Sequence, residues 1–196
     1  MWRVWRAQVT FLILITVGNA QIGQGASVTN LTVMSFNIWV NGGTNLNRCI
    51  EVIRRANADI VGLQECNAAT AKTIADALGY EVLPANGGSI VSRYRIVNTL
   101  TNGHSRGVTV EISPGQRVQL FSCHLKPYPY GPYDLKKGRS REVVIKQEHE
   151  TRMPALTELL APMRPSVSGP EPVFLVGDFN APSHFDYADV PWPTSI

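Results

Sequence analysis

A short apolar run, Val173-Phe174-Leu175-Val176, is entered through Pro172 and left through Gly177 into Asp178-Phe179-Asn180-Ala181-Pro182-Ser183-His184. Consecutive apolar residues without helical period, bounded by chain breakers, predict a strand buried on both faces. Gly177 reads as the point where the backbone turns sharply. Asp178 and Asn180, two apart in extended chain, then point to the same side where the strand leaves the core. A carboxylate and a carboxamide at that position suit a hard cation or a phosphate-bound water, because both present oxygen ligands and the amide also donates. An Asx-type turn after a buried strand would use the same residues for local hydrogen bonding alone.

The same construction recurs upstream. Residues 31–39 alternate apolar and small polar side chains, with Leu31 and Val33 on one face, Met34, Phe36 and Ile38 on the other, and Asn37 near the end. Leu46, Cys49, Ile50, Ile53 and Ala56 then recur at helical spacing, with Arg54 and Arg55 on the wet side. A second apolar run, 59–64, finishes on Glu65. Residues 68–78 predict a helix closed by Gly79. Short strands are expected at 80–83, 89–93, 107–112 and 118–125, with turns at Gly103, Pro114 and Gly115, and the last strand finishes at His124. A loop rich in proline and tyrosine occupies 126–141, where five basic residues stand against Asp134 alone. A helix over 141–161 follows, kinked or restarted near Pro154. This alternation predicts an α/β domain with a mixed sheet arrangement and helices outside. Asn37, Glu65, His124, Asp178 and Asn180 all fall at strand ends, where side chains from separate strands converge on one rim.

The amino terminus carries Arg3 and Arg6, an apolar run over 9–17, and small residues in Gly18-Asn19-Ala20. Residues 1–20 therefore read as a secretory signal peptide too short to span a membrane, an uncleaved anchor being the alternative. Residues 21–30 form a short segment, and 31–196 the domain. Cleavage after Ala20 removes two arginines and lowers the formal charge from +3 to +1 (3 − 2), so global charge argues for no partner. A chain of this size buries one sizeable core. Three cysteines, Cys49, Cys66 and Cys123, allow at most one internal bridge. Asn30-Leu31-Thr32 is a glycosylation sequon, usable on Asn30 in a eukaryotic secretory route. Neither a transmembrane anchor nor a protein partner is predicted.

Phe36-Asn37, Leu63-Gln64-Glu65, Ser92-Arg93-Tyr94, Cys123-His124-Leu125 and Gly177-Asp178-Phe179-Asn180 occur in that order. In these motifs the chain resembles the endonuclease/exonuclease/phosphatase superfamily, the deoxyribonuclease I-like metal-dependent phosphoesterases. The resemblance covers essentially the whole mature chain and implies a four-layered α/β sandwich with two central sheets. It implies that Glu65 ligates Mg²⁺ or Mn²⁺ with Asn37 beside it. Asp178 and Asn180 would position the attacking water and the phosphoryl oxygens, and His124 would donate to the scissile phosphate or leaving oxygen. The reaction is then in-line attack of activated water on phosphorus. Lys126, Tyr128 and Arg139 in the basic, tyrosine-rich loop are expected to contact the phosphate-ester substrate. Nucleic acid is favoured there over a phospholipid or sugar phosphate, since aromatic faces stack on bases and cations meet phosphates; a polyproline-like surface segment is the bland alternative. If the strands ending at Glu65 and His124 are adjacent, Cys66 and Cys123 can bridge on the face away from the site, with Cys49 competing.

The resemblance also carries a departure. Family members close with a strand bearing Ser-Asp-His or an equivalent, and nothing after Asn180 supplies that pair. Asp186 and Asp189 come too early, and His184 lies outside the shared motifs without an assigned role. The expectation is a C-terminally truncated phosphoesterase of little or no activity, a catalytically dead fragment that binds a ligand or partner being the alternative.

Overall fold

The computed structural model describes residues 30–100 and 106–182, with the backbone of Ile15–Thr16. In chain order the elements are β1 (Ile15–Thr16), β2 (Thr32–Asn37), the one-turn segment α1 (Trp39–Gly42), α2 (Leu46–Ala56), β3 (Ile60–Gln64), α3 (Ala68–Leu78), β4 (Glu81–Leu83) and β5 (Ser89–Ser92). They continue as β6 (Arg95–Thr99), β7 (Arg106–Ser113), β8 (Gln116–His124), α4 (Gly131–Lys136), α5 (Arg141–Leu160), α6 (Arg164–Val167) and β9 (Val173–Asp178). β1 lies within the stretch read as a signal peptide and pairs antiparallel with β2, Ile15 opposite Val33. The rest of that peptide, Gly103 and His184 lie outside the described residues.

Two sheets form, one in the order β1-β2-β3-β5-β4 and the other β6-β7-β8-β9. Each contains one parallel pair, and these two pairs build the rim. β2 runs parallel to β3 with Asn37 opposite Gln64, and β8 runs parallel to β9 with His124 opposite Asp178. Parallel strands finish at the same end, so four chain segments deliver polar residues to one edge.

Period-two alternation sorts the apolar side chains into layers. Leu31, Val33, Ile60 and Ile90 of the first sheet meet Val108, Val110, Val118, Leu120, Phe174 and Val176 of the second. Met34, Phe36, Val61 and Leu63, on the opposite face, pack under Ile50 and Ile53 of α2 and Ile74 of α3. Phe121 and Cys123 pack outward against Leu159 of α5. The result is the four-layered α/β sandwich. Helix ends follow local chemistry: Asn45 and Asn67 accept the Arg48 and Thr70 N–H groups as N-caps, and Asn57 and Gly79 close α2 and α3 in left-handed conformation.

Several expectations are corrected. β6 was not foreseen as a strand because Arg95, Asn98 and Thr99 are exposed, which erases the alternation. Part of the proline-rich loop is helical, with Pro132 at the start of α4, where a missing N–H costs nothing. α5 runs through Pro154 without ending. Pro154 and Glu150, whose carbonyl loses its donor, are both exposed, so the missing bond falls on the solvent side of the helix. β9 is not buried on both faces: Phe174 and Val176 are buried, whereas Val173 and Leu175 are half-buried, β8 being its neighbour among the described strands. Gly177 makes no turn. It sits opposite Cys123, and a Cβ there would fall 2.4 Å from the Cys123 carbonyl oxygen and 2.5 Å from its sulfur. Close approach demands this glycine. The expected Cys66–Cys123 bridge is absent and all three thiols are free. β3 and β8 belong to different sheets, and the two cysteines project into opposite outer layers.

Candidate active site

Asn37 is the hub of the rim. Its Nδ2 donates to Glu65 Oε1 at 3.0 Å and to Asp178 Oδ2 at 2.9 Å, joining the two sheets through one amide. Its Oδ1 accepts the Trp39 N–H at 2.9 Å. Asn37 therefore orients the carboxylates through its nitrogen, while its oxygen accepts one N–H and keeps a second lone pair for the expected place beside a metal. Glu65 Oε2 accepts the Val40 N–H at 2.9 Å, and its carbonyl accepts the Asn41 N–H at 2.8 Å. Asn41 Oδ1 in turn accepts the Asn67 N–H at 2.7 Å.

This wrapping is bought with backbone strain. Trp39, Val40, Asn41, Glu65 and Asn180 all have left-handed φ, between 44° and 60°. Among the described residues the remaining non-glycine case is Asn57, a helix cap. Such residues cost about 1–3 kcal/mol each and persist where surrounding structure over-determines them. Here they cluster on one rim.

His124 Nε2 lies 3.9 Å from Asp178 Oδ2. Asp178 Oδ1 accepts the Asn180 N–H at 2.9 Å, while Asn180 Nδ2 donates to the Leu125 carbonyl, also at 2.9 Å. Asn180 thus clamps the ends of β8 and β9. Below the rim Gln64, buried in β3, donates to Ser122 Oγ at 3.2 Å across the sheet interface and to the Gly62 carbonyl at 3.1 Å. Ser35 Oγ donates to its oxygen at 3.4 Å. This polar link sets how the two sheets sit beneath the carboxylates.

The loop after His124 is anchored from α5. Arg152, buried beside Glu148, donates to the Pro127 and Pro129 carbonyls at 3.2 and 2.8 Å. Glu148 accepts the Gly131 N–H at 2.5 Å. Tyr130, between these anchors, makes an edge contact with Tyr133 at 5.2 Å between centroids. Burial pushes its phenol pKa up, and the charges of Tyr133, Glu148 and Asp178 add to that. Tyr128 is exposed, as is Lys126. Arg139 is turned toward α4 and α5, donating to Gln147 at 3.0 Å and lying 4.0 Å from Asp134. Arg93 lies at the far end of β3 from Glu65, paired with Asp59 at 2.8 Å. Asn30 is exposed. The Cys123 thiol is pushed up to about 12, by burial first and the Asp178 charge second, so it stays protonated and inert beside the site.

Four features escaped the sequence reading: the Trp39–Val40–Asn41 turn, Gln64, Tyr130 and Arg152. Gln64 had a signal, a polar residue inside an apolar strand run. So did Arg152, which stands four residues after Glu148 on a long helix.

Among the described residues no three His, Cys, Asp or Glu side chains form a closed metal cage. The donor set nevertheless fits Mg²⁺, which takes one or two carboxylates and keeps its remaining positions for waters and substrate oxygens. Two carboxylates drawn to a single N–H₂ group present the hard oxygen atoms that such an ion uses.

The model of the Endonuclease/Exonuclease/phosphatase family matches residues 34–195. An uncharacterized protein of Caenorhabditis elegans is 28% identical over 200 residues, which cover 93% of this chain and 63% of that protein. Among solved structures, a mannosyl-6-phosphatase of Bacteroides thetaiotaomicron has the same fold, with TM-score 0.54, 17% identity, and 81% and 68% of the two chains covered. The human nocturnin catalytic domain with bound sulfate anion aligns with TM-score 0.53 and 18% identity, over 77% of this chain and 65% of its own. The chain spans less than two thirds of the length of the worm relative.

Proposed function

The chain belongs to the endonuclease/exonuclease/phosphatase family, a family of phosphoesterases, and on that premise we propose that it is an exported, Mg²⁺- or Mn²⁺-dependent hydrolase of a phosphate ester. The observation that carries this reading is the double bridge from Asn37 to Glu65 and Asp178. It brings two carboxylates from separate sheets to one point, with His124 alongside. Glu65 and Asp178, joined by the Asn37 amide, would hold the cation, which would offset charge on the phosphoryl oxygens. Asp178 accepts a hydrogen bond from the attacking water and orients it toward phosphorus. His124 donates from Nε2 to a phosphoryl or leaving oxygen, with Asp178 Oδ2 3.9 Å away. Asn180 keeps Asp178 in place through its backbone N–H.

The arginine-flanked apolar stretch at the amino terminus supports export. Exposed Tyr128 and Tyr133, with Lys126 nearby in the chain, support a nucleic-acid substrate, through stacking and phosphate contact. The test is hydrolysis of bis(p-nitrophenyl) phosphate by the full chain in millimolar MgCl₂ or MnCl₂. The turnover expected is weak, vanishing with EDTA and falling about a hundredfold or more in Glu65→Gln. Turnover that survives both would overturn the reading.

A further inference from the structure

Trp39 and Val40 are exposed to 44% and 62%, beside a carboxylate rim, in a conformation that side chains avoid. Their φ values are 51° and 44°, and a β-branched residue in that region is a steric outlier. Their N–H groups donate to Asn37 Oδ1 and Glu65 Oε2. Those bonds account for the backbone but not for the side chains, since glycine would make the same bonds without strain. The Trp39 ring is also seated. A Cβ on Gly43 would fall 2.6 Å from Trp39 Cε3 and 2.9 Å from Cζ3, so the benzo edge rests against the Gly43 backbone. A large aromatic surface is thus preset next to Glu65 and left open to solvent.

We propose that Trp39, with Val40 beside it, is the platform that recognises the organic part of the phosphate ester, by stacking on a flat ring such as a nucleobase. This rests on the phosphoesterase reading of the neighbouring carboxylates. The ring of the substrate lies on the indole while its phosphate meets the rim of Glu65 and Asp178. Two side chains held in left-handed conformation make a rigid wall, so little ordering is needed when a ring binds. Specificity then comes from the turn after β2, and phosphate affinity from the strand ends.

Equilibrium dialysis of the full chain in millimolar MgCl₂ against AMP, ribose 5-phosphate and inorganic phosphate tests this. The reading is the ratio of AMP affinity to ribose 5-phosphate affinity within each variant. Wild type is expected to favour AMP about tenfold, the increment one stacked base supplies. Trp39→Ala is expected to bring the ratio near one, and Trp39→Phe to restore most of it. A ratio near one in wild type, with inorganic phosphate bound, overturns the platform and leaves the phosphoesterase reading standing. A ratio that survives Trp39→Ala overturns it equally. Trp39-dependent AMP binding without any binding of inorganic phosphate or ribose 5-phosphate upholds the platform and removes the phosphoesterase reading; failure of all three ligands removes both. Sedimentation with phosphatidylcholine vesicles that Trp39→Ala abolishes, alongside a ratio near one, reassigns the surface to lipid and overturns the proposal.

Discussion

The two sides of the rim are held by different physics. On the β2–β3 side, residues 37–41 bond to one another and to the site carboxylate Glu65 itself, and the backbone takes left-handed conformations to do so. On the β8 side, the loop after His124 is held by groups outside the site, Arg152 and Glu148 reaching out of α5. The composition of each segment explains the difference. Trp39, Val40 and Asn41 each carry an N–H that finds an oxygen, on Asn37 or on Glu65, so this turn fastens onto the site. Pro127 and Pro129 carry none, so those two positions can offer only carbonyls, which take their donors from Arg152. A guanidinium, with five donors in a rigid fork, suits a pair of carbonyls two residues apart. The first side is therefore tied to the charge of the site, and the second is independent of it.

Removing the borrowed donor has the largest expected effect. Arg152→Met keeps an unbranched apolar stem but leaves the Glu148 carboxylate without its cation and the Pro127 and Pro129 carbonyls unserved. The expected loss is about 3–5 kcal/mol in urea unfolding, the range for breaking one partner out of a buried pair. Added Mg²⁺ is not expected to restore it. A loss below about 1 kcal/mol would mean that the loop holds itself and that the contrast is false.

The opposite side is expected to answer to a cation. Asn37→Asp replaces the bridging N–H₂ group by a third carboxylate facing Glu65 and Asp178, where like charges repel and two acceptors lose their donor. Unfolding without divalent ions is expected to show a loss of about 1–3 kcal/mol, the cost of unsatisfied polar groups of this kind. Millimolar Mg²⁺ should recover much of that, because a cation bound by the folded state alone stabilises it. Recovery by Mg²⁺ in Arg152→Met but not in Asn37→Asp would invert the comparison.

How far this was legible in the sequence follows from range. The layers were readable because alternation in 31–38 and helical spacing in 46–56 report directly which face is buried. The convergence of Asn37, Glu65, His124 and Asp178 followed from their positions at strand ends, together with the family motifs. The bridging role of Asn37 was not readable, since which end of an amide meets a carboxylate depends on the Trp39 N–H that takes its oxygen. The cysteine pairing failed for a similar reason: residues adjacent to two site positions need not be adjacent to each other when the strands lie in different sheets. Gly177 misled because glycine serves both sharp turns and close contacts. Only the Cys123 carbonyl, brought in by the parallel pairing of β8 and β9, decides between them.

The smallest effect asked for is also the one of opposite sign. Val40→Gly keeps the N–H that Glu65 accepts and removes the side chain responsible for the strain at φ 44°. Relief of about 1–3 kcal/mol is offset by about 0.5–1 kcal/mol for the extra freedom of glycine in the unfolded chain. A net gain of about 1 kcal/mol in urea unfolding is expected, which is unusual for a truncation. In the double variant with Arg152→Met, the two changes should add within about 0.5 kcal/mol, because the turn and the loop share no hydrogen-bond partner among the described residues. Strong coupling would show that the loop leans on the turn. A loss of stability in Val40→Gly alone would mean that the valine packs rather than strains, and the case for an exposed platform held at a cost would go with it.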